Sequence, residues 1–350
     1  MKANLKTNHT LAWPDSLRII ATISVIFLHV SAPILYEFEQ IPMTAWWTGN
    51  IYDSCVRFCV PIFVMLTGAL VLPKEYKLAY FIKNKFTRIL VPFLFWSIIY
   101  IISDIIIGHA RGQQFTLFQI AKFSFTQLKD GASYHFWYIY MIIGLYLFIP
   151  IIGPWVRAAS EKGILYFLTI WFIVILSQQS YLHSIKPNID FTYFTGYLGY
   201  LVLGYYLGTK HFEHIKWVKI ISLLLVLTGI SMTAVGTYIL SRYSGFFRQE
   251  FYDYLTPNVL IVTIGTFLFF KHVHITNYYA IQTRTFISKY SYGIYLVHVF
   301  VLTLLNITGL NFPHMTSSLQ IPLVSSICFF ISLGIVFIID KIPYGKYIAG

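Results

Sequence analysis

The chain of 350 residues is 57% hydrophobic and only 11% charged, with a formal net charge of +12 and a mean hydropathy of +0.68. A soluble domain of this length would carry about a quarter charged residues and would show its apolar residues in periodic stripes, so that class is excluded. The positive balance is spread over short loops, with no basic helix interleaved with aromatics, and no nucleic-acid partner is expected.

In chain order, apolar runs long enough to cross about 30 Å of hydrocarbon fall at about 17–35, 54–72, 89–108, 134–153, 163–180, 193–208, 218–240, 255–270, 287–306 and 320–339. This pattern predicts an all-α polytopic bundle of ten transmembrane helices. No Gly/Ser- or Pro-rich linker and no internal repeat interrupts it, so residues 1–350 are expected to form one membrane domain. With the N-terminus cytoplasmic, seventeen Lys and Arg fall in cytoplasmic segments and six outside, Lys2, Lys6 and Lys186 among those counted. Cytoplasmic loops carry the excess of positive charge, so both termini are expected inside. The first run is as long as a full span and Ala32-Pro33 is a poor cleavage context, so it reads as a retained anchor.

That first run contains "DSLRIIATISVIFLH", with Arg18 at one end and His29 in its middle. Eleven residues at about 100° each return to nearly the same helix face, about 16 Å further along the axis. Arg18 then sits at the cytoplasmic boundary and His29 near mid-membrane, where an imidazole needs a polar cavity or a partner. Asp15 is close enough to that face to pair with Arg18 or cap the helix. Arg57, a turn into the second run, must also pair at depth.

His135, Trp137 and Tyr138 open the fourth run at its outer end, and in "SYGIYLVH" Ser291, Tyr295 and His298 share one face at i, i+4 and i+7. Cys55, Cys59 and Cys328 are too few for a disulfide framework. Without the His or carboxylate pattern of a metal site, they read as packing residues and no metal is expected.

Five blocks in order, "DSLRIIATISVIFLH", "RFCVPIFVMLTG", "KNKFTRILVPFLFW", "HFWYIYMIIGLYLFIP" and "SYGIYLVHVFVL", resemble the acyltransferase family 3 membrane proteins over roughly residues 13–345. The resemblance implies ten core spans with cytoplasmic termini. It also implies acylation of sugars of surface glycans, in the manner of stand-alone bacterial O-acetyltransferases of the cytoplasmic (inner) membrane. Acetyl-CoA is then the donor substrate, with no permanently bound cofactor. The acceptor is a surface polysaccharide or lipid-linked oligosaccharide.

The family's basic residue, ten residues, then His is met by Arg18 and His29, which the resemblance makes the catalytic pair. Its Arg-x-x-Arg donor motif is here Lys85-Phe86-Thr87-Arg88. Lysine keeps the charge but loses the bidentate fork. Lys83, Lys85 and Arg88 are the expected donor-binding cations. Arg57, Ser291 and Tyr295 are candidates for the oxyanion, and His135, Trp137, Tyr138 and His298 for the acceptor side or a buried hydrogen bond. A succinyl transferase and a glycan exporter are the alternative readings; the exporter is disfavoured by the absence of a carboxylate relay or inverted repeat.

Overall fold

The computed structural model describes residues 12–179, 196–212, 215–273 and 275–350. Among them there are helices and turns and no strand. Lys2, Lys6 and Lys186 lie outside the described residues, as does the stretch between the fifth and sixth predicted spans.

The first helix, α1 (Ala12–Leu35), is central and packs against elements drawn from both halves of the chain. The second predicted span begins earlier than expected and is broken: α2 (Met43–Val56) and α3 (Cys59–Val71) are joined through Arg57-Phe58. Pro61 explains the break, because it has no N–H to give the Arg57 carbonyl four residues back and its ring crowds that carbonyl. The kink turns Arg57 into the bundle.

The third span runs continuously from Leu78 to Ala110, as α4 (Leu78–Phe81), a π turn at Ile82–Phe86 and α5 (Thr87–Ala110). It is followed by α6 (Leu117–Asp130), an exposed helix started by a Thr116/Gln119 capping box. A 3-10 turn at Tyr134–Phe136 then leads into α7 (Trp137–Ala158).

Further along come α8 (Glu161–Ser177), α9 (Leu198–Thr209), α10 (Val218–Ser244), α11 (Pro257–Lys271), α12 (Tyr278–Ile307) and α13 (Ser317–Lys341). Among the described residues eight helices or helix runs are long and apolar enough to cross a membrane. The predicted spans at 163–180 and 193–208 correspond to α8, of 17 residues, and α9, of 12. At 1.5 Å per residue, α9 reaches only about 18 Å.

The short α9 is held inside the bundle by glycine. A Cβ at Gly204 would lie 2.1 Å from the Met65 carbonyl oxygen, and one at Gly68 would lie 1.9 Å from that of Leu201. Gly204 and Gly208, four apart, let the backbones of α9 and α3 touch. Such close approach is what drives helix association where lipid removes the hydrophobic contribution.

Burial is inverted relative to a soluble protein. Asn50, Asp53, Ser54, Ser97, Thr233 and Asn258 are buried, while Ile98, Ile102 and Ile106 on α5 and Leu223, Leu224 and Leu227 on α10 are exposed. Apolar side chains outward and polar groups inward describe a helical bundle in lipid. The chain is a multi-pass membrane protein.

Candidate active site

Three cavities follow one another along the α1 axis. The first, of about 420 Å³, opens at the end of the bundle that carries Arg18, Lys74 and Lys85, and it narrows between Tyr138, Ser291 and Tyr295. A void of about 20 Å³ comes next, lined by His29, Val25, Cys59, His135, Tyr138 and Tyr295 among others. The third, of about 470 Å³, opens at the opposite end between Tyr36, Arg57, Trp137, Tyr252, Asp253 and Tyr254. Tyr138 and Tyr295 belong to both the first and the middle cavity, and Leu28, Trp137 and Tyr254 to both the middle and the third. His29 thus stands at the constriction between two vestibules.

The register read from the sequence holds. Arg18 lines the first vestibule and His29 the neck, from one face of α1. Arg18 donates to Asp15 at 2.9 Å and to Ser288 at 2.7 Å, and Ser288 in turn donates to Asp15 at 2.7 Å. This tie fixes the guanidinium between α1 and α12. Of the other predicted cations, Lys85 lines the vestibule with its ammonium 5.8 Å from the Tyr76 ring. Lys83 and Arg88 are exposed and do not line it. Lys74 does, and it was legible in principle as part of the lysine-dense segment before the third span.

Around the neck, the three histidines converge from three elements. The His29 ring stacks on that of His298 at 5.2 Å and lies 6.3 Å from that of His135, with Tyr134 edge-on at 5.1 Å. His29 is half-buried, and its imidazole has no hydrogen bond to any described residue. His298 is fully buried, and its Nδ1 lies 2.6 Å from the Tyr295 carbonyl oxygen. A carbonyl can only accept, so Nδ1 carries the proton, and Nε2, which has no partner, bears the lone pair of the neutral ring. His135 Nδ1 is 2.9 Å from the Ser133 hydroxyl.

Tyr295 donates its hydroxyl to the His135 carbonyl at 2.5 Å, pinning the 3-10 turn ahead of α7 to α12. Its only proton is therefore committed, and the Tyr295 hydroxyl is not free for a second acceptor. Tyr138 lines the same neck and has no hydrogen bond among the described residues. Ser291 lies further down, donating to the Ile287 carbonyl at 3.3 Å.

Arg57 pairs with the fully buried Asp53, donates to the Tyr252 carbonyl at 3.3 Å and lies 4.2 Å over the Tyr252 ring. The loop that supplies Tyr252, Asp253 and Tyr254 is fixed from several sides. Tyr252 donates to the Asn50 side chain, Asn258 donates to the Phe251 carbonyl at 2.6 Å, and Tyr200 donates to the Tyr254 carbonyl at 2.7 Å. Trp137 stacks on Tyr254 with ring centroids 5.7 Å apart. Asp253 and Tyr254 carry no periodic signal in the sequence, which is why sequence reading passed over them. Among the described residues no group of three His, Cys, Asp or Glu side chains is placed to hold a metal ion.

Residues 11–341 match the acyltransferase domain of acyltransferase family 3. The chain is also similar to YfiQ of Bacillus subtilis (strain 168), provisionally named a membrane-bound acyltransferase, at 22% identity across 95% of this chain and 92% of that protein. No solved structure matches it. With an all-helical bundle and a family match over nearly its whole length, the chain belongs to acyltransferase family 3 and is a membrane acyltransferase.

Proposed function

We propose that the protein moves an acetyl group from cytoplasmic acetyl-CoA to a hydroxyl of a surface polysaccharide or lipid-linked sugar at a bacterial inner membrane. One observation carries this reading: the His29 imidazole, with that of His135 beside it, lies at the neck between a cation-lined vestibule and an aromatic-lined one. The donor's phosphates meet Arg18, Lys74 and Lys85, where charge-assisted hydrogen bonds hold them. The pantetheine arm carries the thioester upward past Ser291 to the neck, while the acceptor hydroxyl enters from the other side.

Neutral His29 then takes the acceptor hydroxyl's proton as the oxygen attacks the thioester carbonyl. The tetrahedral intermediate collapses with loss of the thiolate, and the same imidazolium returns the proton to sulfur. The products are the acetyl ester and CoA thiol, and the histidine ends neutral. The thiolate is a far weaker base than an alkoxide, so no strong acid is required for its departure. The Tyr138 hydroxyl is the uncommitted donor beside the neck and serves the oxyanion.

The void beside His29 is small, about 20 Å³, which disfavours a succinyl chain and the carboxylate it would carry there. It also opposes the exporter alternative, since a sugar does not pass. The test is transfer of radiolabelled acetyl from acetyl-CoA to glycan in membranes bearing the wild type or His29→Ala. Label on glycan with the wild type alone is the expected result. Equal labelling by the variant would sink the assignment of His29.

A further inference from the structure

The vestibule at the Trp137 end has a charge pattern that the acyl-transfer reading does not require. Its charged lining residues are Arg57, Glu250 and Asp253. Arg57 is neutralised within the wall by the buried Asp53. Glu250 pairs with Arg248, leaving its Oε2 without a partner. Asp253 has no cationic partner among the described residues; its carboxylate only accepts from the Leu255 amide at 3.4 Å. With both cations already matched, the wall offers a surplus carboxylate and no spare positive charge.

The remaining lining is aromatic and apolar. Trp137 is 42% exposed and backed by Tyr254, while Tyr36 and Phe247 meet edge-on at 5.1 Å on the facing wall. A backed, part-exposed indole offers an apolar plane to the C–H face of a pyranose ring, and a free carboxylate accepts hydrogen bonds from vicinal hydroxyls or from an ammonium. An anionic ring would bring its charge against the exposed Asp253 carboxylate and against Glu250, and like charges at contact distance repel.

We infer that this vestibule is a pyranose-binding subsite selective for neutral or amino sugars over uronic acids, with Trp137 as the platform and Asp253 as the hydroxyl acceptor. It rests on the proposed acyl transfer only in taking the bound sugar as the acyl acceptor, because the binding itself needs no donor. The subsite sets which glycans can present a hydroxyl to His29.

The test uses the full chain in detergent without acyl-CoA. Saturation-transfer NMR is recorded with three probes: methyl galactoside, methyl glucosaminide and methyl glucuronide. Ring-proton signals are expected for the first two, with the glucuronide about 5-fold weaker, as repulsion between charges a few ångströms apart in a hydrated mouth implies. Trp137→Ala should remove the signals of the first two. The double variant Glu250→Gln, Asp253→Asn should raise the glucuronide relative to galactoside, and size-exclusion chromatography of each variant checks folding.

Glucuronide binding equal to or above the neutral sugars in the wild type overturns the inference, as do sugar signals unchanged in folded Trp137→Ala or no sugar binding at all. Selective sugar binding by a protein that transfers no acetyl group would leave the subsite standing and remove the acetyltransferase. Transfer that favours uronic acid acceptors would do the reverse.

Discussion

His29 and His298 stack with their rings 5.2 Å apart and 30° from parallel, one lining the neck and the other fully buried behind it. Because His298 Nδ1 is committed to the Tyr295 carbonyl, its ring is oriented, and it backs His29 as a neutral surface. Removing the His29 imidazole should lower kcat by at least about 100-fold, the usual contribution of a positioned base. CoA binding, read by equilibrium dialysis, should be retained. His298→Ala should lower kcat by about 10-fold with the acetyl-CoA KM unchanged, since it positions His29 and touches no substrate.

The cation-lined vestibule separates cations that look equivalent in sequence. Lys85→Ala should raise the acetyl-CoA KM by about 10-fold, the loss of one charge-assisted contact. Lys83→Ala, which removes an exposed lysine away from the cavity, should change it by less than about 2-fold. Initial-rate kinetics in membranes with varied acetyl-CoA distinguish the two.

Tyr138 and Tyr295 line the same neck with different hydrogen-bond commitments. Tyr138→Phe should reduce kcat by about 100-fold if its hydroxyl meets the oxyanion. Tyr295→Phe loses the tie to the His135 carbonyl and should also lower thermal stability, by about 1 kcal/mol. A Tyr138→Phe variant of unchanged kcat would return the oxyanion role to Arg57.

The Asp53–Arg57 pair predicts a reversal between single and double substitutions. Arg57→Ala leaves a fully buried carboxylate without its counter-ion and should destabilise by about 3 kcal/mol. The double variant Asp53→Ala, Arg57→Ala should be more stable than that single variant. Thermal unfolding in detergent reads both.

Gly204→Ala should be poorly tolerated even though it adds one methyl group. The new Cβ meets the Met65 backbone, which has no rotamer to relax, so a cost of at least about 2 kcal/mol is expected. Gly144→Ala, where a Cβ meets nothing within 4 Å, is the matched control. Detergent-solubilised yield and melting temperature compare them.

What was legible in the sequence follows from regular geometry. Arg18 and His29 share a continuous helix, so counting residues put them on one face and at different depths, and both line cavities of one series. Asp15 pairing with Arg18 came from the same count. Counting failed where the helix is interrupted. Cys55 and Cys59, four residues apart, would share a face of a continuous helix, whereas the Pro61 break separates α2 from α3 between them. Among the described residues α8 and α9 are 17 and 12 residues long, and hydropathy, which measures apolar content, does not fix where a helix ends or that α9 packs closely on α3. Lys83, Lys85 and Arg88 sit together in sequence, yet the π turn at 82–86 spreads them, and one of the three reaches the vestibule. The Trp137 end of the molecule depends on a loop folded over α2 by side-chain hydrogen bonds, which no periodicity encodes.

The neck beside His29 has room for about one water molecule between two vestibules each of more than 400 Å³. A hydrated sodium or potassium ion does not fit through it. The two vestibules are thus divided by a plug rather than joined by a pore, and an acyl group handed across it would need no accompanying passage of ions.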